Sequence, residues 1–269
     1  MEGLTKYWGF YFVATPDANG VGVRDLKDAL DNVAEHEAWI SDITPLLPGE
    51  RVRQNELNSR IASKHLRKVL GARIVVFQLF LQLAIDVDGQ LLEKHKRIWL
   101  LFQLSNRLGG TLHPFLRIIR QSLRHASDEA LMTLVQRLDG ILEKYLPQAH
   151  FIIGLDEAQC AARLYPYSFI SSTSNTLFRS IICKIVKVFT TSPIKLVVSG
   201  TGLSLEHVED AMASGVSKPG SVELFHKLGM FDTWPKLKSF LERYIPSSIL
   251  EPSSGYCLQK RIREYLLGR

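Results

Sequence analysis

The sequence predicts a three-layer α/β fold: a parallel sheet, a large helical insertion within it, and a partial helical lid at the carboxyl end. Three observations predict it. His150–Gln159 is apolar for the length of a strand and then ends in two adjacent acids, Asp156 and Glu157. A second apolar run, Lys195–Ser199, follows after one helix-length segment and leads into Ser199-Gly-Thr201. Strand, helix, strand in that order favours parallel pairing with a right-handed crossover. From Val23 to about Tyr145 the apolar spacing is almost wholly helical, which makes that region an insertion of about residues 24–145.

Taken in order, Met1–Lys6 reads as the tail of a helix. Trp8–Ala14 is aromatic and β-branched, and Thr15–Gly20 is a run of turn formers, so a strand is followed by a loop. Arg24–Ala38 is a short helix. Residues 42–50 carry Pro45, Pro48 and Gly49 and read as a loop. Asn55–Leu83 places Leu57, Ile61, Leu66, Val69, Leu70, Ile74, Phe77 and Leu81 at helical spacing. Its first half is basic at Arg60, Lys64, Arg67, Lys68 and Arg73, as either a solvated face or a phosphate-binding patch. Leu91–Leu104 is a further helix, and another starts near Pro114, past Gly109 and Gly110. Ser127 followed by Asp128 and Glu129 is an amino-terminal cap with acids in the first turn, and that helix ends before Pro147.

The second half alternates. A strand over His150–Leu155 precedes a helix over about Thr173–Phe189, and Ser192-Pro193 separates that helix from the strand Lys195–Ser199. Gly215–Ser221 is a loop and Leu224–Thr233 a short strand. Pro235–Tyr244 and Tyr256–Leu267 are helices, with Pro246 and Pro252 in the linker between them.

Composition narrows the function classes. The chain has 269 residues, 46% of them hydrophobic and 22% charged, which is ordinary for a folded domain. The net charge of +6 favours acidic partners such as nucleotides, nucleic acid or anionic membrane. The three cysteines, Cys160, Cys183 and Cys257, lack CxxC spacing and cannot all pair, which points to a reducing, intracellular setting in cytoplasm or nucleus. No two histidines stand in H-x-x-x-H spacing, so no zinc site is indicated. The apolar run of residues 74–85 is interrupted by Gln78 and Gln82 and reads as too short and too polar to span a bilayer, so no membrane partner is expected.

The acid pair carries the chemistry. A buried strand that delivers Asp156 to the sheet's carboxyl edge places a carboxylate where Mg²⁺ on a nucleotide would sit, and Glu157 is placed to polarise an attacking water. This is the pattern of a Walker B strand. Ligands of open parallel sheets bind at the carboxyl ends of the strands. Ser199 or Thr201 would then touch a γ-phosphate or orient the water, and Gln159 would help position it. The alternatives are Asp156 as a helix cap and Ser199-Gly-Thr201 as a plain turn. Arg163 and Arg179 flank the strand, either as surface residues or as stabilisers of transition-state charge. No G-x-x-x-x-G-K-[ST] phosphate loop occurs in the chain.

Phe151–Gln159, Val197–Ser204 and Tyr7–Phe12 together resemble the NTPase module of Crinkler-type proteins of fungi and oomycetes, P-loop ATPases of the AAA/STAND kind. The resemblance implies a P-loop NTPase-like core over residues 1–233 and a helical lid beginning at 234–269, entered near Leu228–Phe231. It implies ATP and Mg²⁺ as cofactors, Asp156 and Glu157 as the Walker B pair, Ser199 or Thr201 as the sensor, and ATP hydrolysis driving a conformational switch. Arg269 falls where a sensor arginine could lie. The chain departs from the family at both ends, reading as if it starts just after the phosphate loop and stops inside the lid. An uncovered position in the sheet and marginal solubility are then expected. The alternatives are a non-catalytic remnant or protein-interaction module and, third, nucleic-acid binding through the basic helical region.

Overall fold

The computed structural model describes residues 4, 6–14, 21–105, 111–171, 177–190 and 194–200, with positions 235, 238 and 239. The chain divides into two compact units, residues 1–220 and 221–269. The strand expected at Leu224–Thr233 and the two helices expected beyond it lie outside the described residues, those three positions excepted.

The first unit is mixed α/β and mostly helical. Strand β1 (Trp8–Val13) is followed by five helices: α1 (Asp25–Ala34), α2 (Pro48–Asp88), α3 (Glu93–Leu104), α4 (Pro114–Gln121) and α5 (Asp128–Tyr145). Then come β2 (Phe151–Asp156), α6 (Ala158–Arg163), the short strands β3 (Phe169–Ile170) and β4 (Phe178–Arg179), α7 (Ile182–Phe189) and β5 (Lys195–Val198). The three long strands form one parallel sheet in the order β1-β2-β5, while β3 and β4 pair antiparallel.

Helix α2 is longer than its apolar pattern suggests. It begins at Pro48, inside the segment read as a loop, because proline suits the first helical position and the Leu47 N–H donates to Glu50 Oε2 at 3.3 Å. It ends at Gly89, whose φ of 74° is the left-handed cap that glycine adopts without penalty. At 41 residues α2 contains an 18-residue stretch long and apolar enough to cross a bilayer, half of it buried in the fold. That differs from the expectation for residues 74–85.

The helix expected at Thr173–Phe189 begins only at Ile182, and residues 178–179 are strand instead. Tertiary contacts override the helical pattern here. Asn58 Nδ2 on α2 donates to the Ser168 carbonyl at 2.9 Å, and the Ile170 N–H donates to Asn55 Oδ1 at 2.9 Å. These bonds hold the hairpin against α2.

The sheet's two faces differ. Phe10, Phe12, Ile153 and Leu155 alternate onto one face and join the main core, where Phe10 meets Phe77 at 5.6 Å and Trp99 at 6.2 Å between ring centroids. Tyr11, Val13 and Ile152 form a small cluster of their own with Leu4 and Leu100. Gly9 is required by the close strand pairing, since a Cβ there would run into the Ile152 carbonyl oxygen.

The two edges of the sheet differ as well. On β1, Trp99 Nε1 and Gln103 Nε2 donate to the Gly9 carbonyl at 2.8 and 3.2 Å. The Tyr11 N–H donates to Gln103 Oε1 at 2.9 Å, and Arg73 Nη1 donates to the Tyr11 carbonyl at 2.7 Å. Side chains of the helical insertion thus saturate groups that another strand would otherwise use. On β5, Lys195 and Val197 are exposed, and among the described residues no strand pairs with the outer edge.

Candidate functional site at the carboxyl edge of the sheet

The carboxyl tips of the three parallel strands converge. Val13 pairs with Asp156 and Leu155 with Val198. Just past the ladder, the Ala14 N–H donates to the Asp156 carbonyl at 3.0 Å, the Ser199 N–H to the Leu155 carbonyl at 2.8 Å, and the Ala158 N–H to the Ser199 carbonyl at 3.0 Å. The backbone therefore fixes Asp156 and Ser199 side by side.

Their side chains meet. Ser199 Oγ donates to Asp156 Oδ1 at 2.8 Å, and the Glu157 N–H donates to the same oxygen at 3.0 Å. The other oxygen, Oδ2, accepts the Tyr11 phenol at 2.7 Å. Asp156 is half-buried and Ser199 exposed, so the arrangement opens toward solvent on the Ser199 side. Of the two readings of Asp156, the helix cap fails: Glu157 occupies the cap position of α6, and α6 has no side-chain cap bond.

Glu157 sits at φ 53°, ψ 34°, a left-handed conformation that non-glycine residues adopt at a cost of about 1–2 kcal/mol. Turning there, the chain leaves β2 and enters α6 at once. Gln159, in the first turn of α6 and buried, donates from Nε2 to Glu157 Oε2. Glu157 is thereby tethered by the residue expected to help position a water.

Tyr11 is the residue that sequence reasoning missed. It read as one aromatic of a buried strand. The available signal was its phase: it alternates with Phe10 and Phe12 and so lies on the opposite face, with a hydroxyl that needs a partner. Burial first, then the hydrogen bond to Asp156 and the charges of Asp156 and Glu157, push its phenol well above the ordinary tyrosine range. Arg73, read with the basic stretch of α2, is also placed differently. It is fully buried, bonded to Tyr11 and paired with Asp25 at 2.7 Å, which removes it from any nucleic-acid-binding patch.

Thr201 and Arg269 lie outside the described residues. Arg163 is exposed on α6, whereas Arg179 is 7% exposed on β4 and is not a surface residue. Among the described residues neither arginine makes a hydrogen bond or ion pair with Asp156 or Glu157, and no group of three or more His, Cys, Asp or Glu side chains gathers as a metal site.

The donor set suits one metal better than others. A carboxylate, a second carboxylate one residue on and a serine hydroxyl are all hard oxygen ligands, and few in number. Mg²⁺ accepts such sites because it keeps most of its own waters. The hydrogen bonds on both Asp156 oxygens would favour contact with such an ion through water over direct ligation.

A cavity of about 740 Å³ lies elsewhere, at the amino ends of β1 and β2 between Tyr7, Trp8, Lys96 and His150. Lys96 there is paired with Glu93 at 2.6 Å and donates to the Lys6 carbonyl at 3.1 Å. No protein-family model, curated protein or solved structure matches the chain.

Proposed function

We propose that the chain is a P-loop NTPase-like core that binds the phosphates of a nucleotide with Mg²⁺ at the tips of β2 and β5, with ATP hydrolysis as the activity of the type. The observation that carries the reading is the 2.8 Å bond from Ser199 Oγ to Asp156 Oδ1 across neighbouring parallel strands. It brings an acid and a hydroxyl together at the carboxyl end of a parallel sheet, the end at which ligands of open α/β folds bind.

In this reading Asp156 holds the waters of Mg²⁺, and bound Mg²⁺ would neutralise charge on the phosphates. Glu157 orients the attacking water and accepts its proton, Gln159 sets the direction of the Glu157 carboxylate, and Ser199 donates to the terminal phosphate. One preorganised donor to developing charge is worth about 3–4 kcal/mol. The chain contains no G-x-x-x-x-G-K-[ST] stretch to add several more, so affinity in these residues alone is weak.

A second reading rests on a different observation. Both Asp156 oxygens are already engaged by Tyr11, Ser199 and the Glu157 N–H, which makes Asp156 a clamp on three strand tips in a non-catalytic interaction module.

Binding of a fluorescent ATP analogue, with and without Mg²⁺, separates the two. The nucleotide reading expects Mg²⁺-dependent binding that Asp156→Asn weakens about tenfold or more, while Glu157→Gln binds but releases no phosphate. Equal signals with and without Mg²⁺, unchanged by Asp156→Asn, leave the clamp as the answer.

A further inference from the structure

Arg179 stands where its charge is unmatched. It pairs across the β3–β4 hairpin with Phe169 and is only 7% exposed. Among the described residues it has no ion pair, and its buried Nη1 has no hydrogen-bond partner. An unpaired guanidinium withdrawn from water is strongly unfavourable. Arg73, also buried, is by contrast matched by Asp25 through two bonds of 2.7 and 2.8 Å.

The surroundings add charge of the same sign. The Lys184 ammonium lies 4.8 Å from the ring centroid of Phe169, the cross-strand neighbour of Arg179. Lys187 follows one turn later, exposed. Among the described residues, the charged side chains acting on the buried Cys183 are Lys184, Arg179 and Lys187, with no carboxylate among them. Burial first, reinforced by Lys187 and Arg179 against Cys183, holds the Lys184 ammonium below the ordinary lysine range.

This placement also runs against helix electrostatics. The amino-terminal turn of a helix favours anions. The chain follows that rule at α1, with Asp25 and Asp28, and at α5, with Asp128 and Glu129. Helix α7 has no acid in its first turn, no side-chain cap from Ile181, and Lys184 where an acid would be favourable. Three departures from stability, at one place and of one sign, share a single remedy: a bound anion.

We propose that Arg179 and Lys184 form a receptor for a phosphate-type oxyanion at the amino end of α7. The guanidinium fork matches two oxygens of a tetrahedral anion, the ammonium supplies a charge for a third, and the dipole of α7 favours both. The site shares no residue with the Asp156–Ser199 arrangement and stands apart from that reading.

The test is calorimetric titration with inorganic phosphate and with phenyl phosphate, at constant ionic strength against chloride. Binding is expected, and Arg179→Met is expected to weaken it about tenfold or more. Tighter binding of the ester assigns an organic phosphate, and equal binding assigns the free ion. In phosphate-free buffer, Arg179→Met should melt at or above the wild-type temperature, because it removes an uncompensated charge. Phosphate should also slow modification of Lys184 by trinitrobenzenesulfonate, a readout on the wild-type chain that stands even if the variant does not fold. Phosphate no more protective than chloride, or an affinity unchanged by Arg179→Met, overturns the proposal.

Discussion

At the scale of single residues, Tyr11 joins the edge strand to the candidate site. Its backbone is held by Gln103 and Arg73 and its phenol by Asp156. A hydrogen bond to a charged group contributes about 1.5–3 kcal/mol, so Tyr11→Phe should lower the free energy of unfolding by about that amount at neutral pH. The pH dependence is specific. The folded protein keeps the phenol protonated above its ordinary range, whereas the unfolded chain loses that proton near pH 10. The contribution is therefore complete below about pH 10 and declines as pH rises past it. Urea midpoints followed from pH 8 to 11 should fall more steeply for wild type than for Tyr11→Phe. Parallel curves would mean that the phenol carries no such linkage.

At the scale of elements, Arg73 staples α1, α2, α3 and β1 together. Its guanidinium bonds Asp25, Tyr11 and Gln103 and lies 4.1 Å from the Phe12 ring centroid and 4.5 Å from that of Phe115. Removing one partner of a buried pair leaves the other charged and alone. Arg73→Met should cost about 3–5 kcal/mol, and the double change Arg73→Met with Asp25→Leu should recover a large part of it. Chemical denaturation of the three proteins measures the coupling, and strictly additive losses would count against the staple. Helix α2 also carries His65, whose imidazole burial, then Lys68, His36 and Lys64, lower to a pKa of about 4. The unfolded chain takes up that proton near pH 6.5. Its contribution is complete above about 6.5 and is lost as pH falls toward 4. His65→Leu should flatten the stability profile across that window, as acid titration of the denaturation midpoint would show.

At the scale of the whole molecule, the two edges of the sheet differ among the described residues. The β1 edge is saturated by helical side chains, while β5 presents exposed Lys195 and Val197 along an edge that no described strand covers. Such an edge is a template for pairing with another chain. Association rising with protein concentration is expected, and Val197→Lys should suppress it, as light scattering across a dilution series would show. Equal scattering from both proteins would remove the β5 edge as the cause.

Much of this was legible in the chain. The strands at Trp8–Val13 and Phe151–Asp156 follow from aromatic and β-branched runs, and α4 and α5 from Pro114 and Ser127 at their starts. The convergence of Asp156 and Ser199 follows from two apolar strands with polar tips. Local pattern fixes such features because backbone preference and side-chain alternation act over a few residues. What local pattern could not supply was the pairing of distant ones. The β3–β4 hairpin, with β4 where a helix was expected, has its β3 side bound by Asn55 and Asn58 of α2. Arg73 left the basic stretch because Asp25 and Tyr11, far away in sequence, offered it a desolvated site. Arg179 is buried, and Tyr11 joins the predicted Ser199 in bonding Asp156, for the same reason: burial and hydrogen-bond satisfaction are settled between elements, once the chain has folded back on itself.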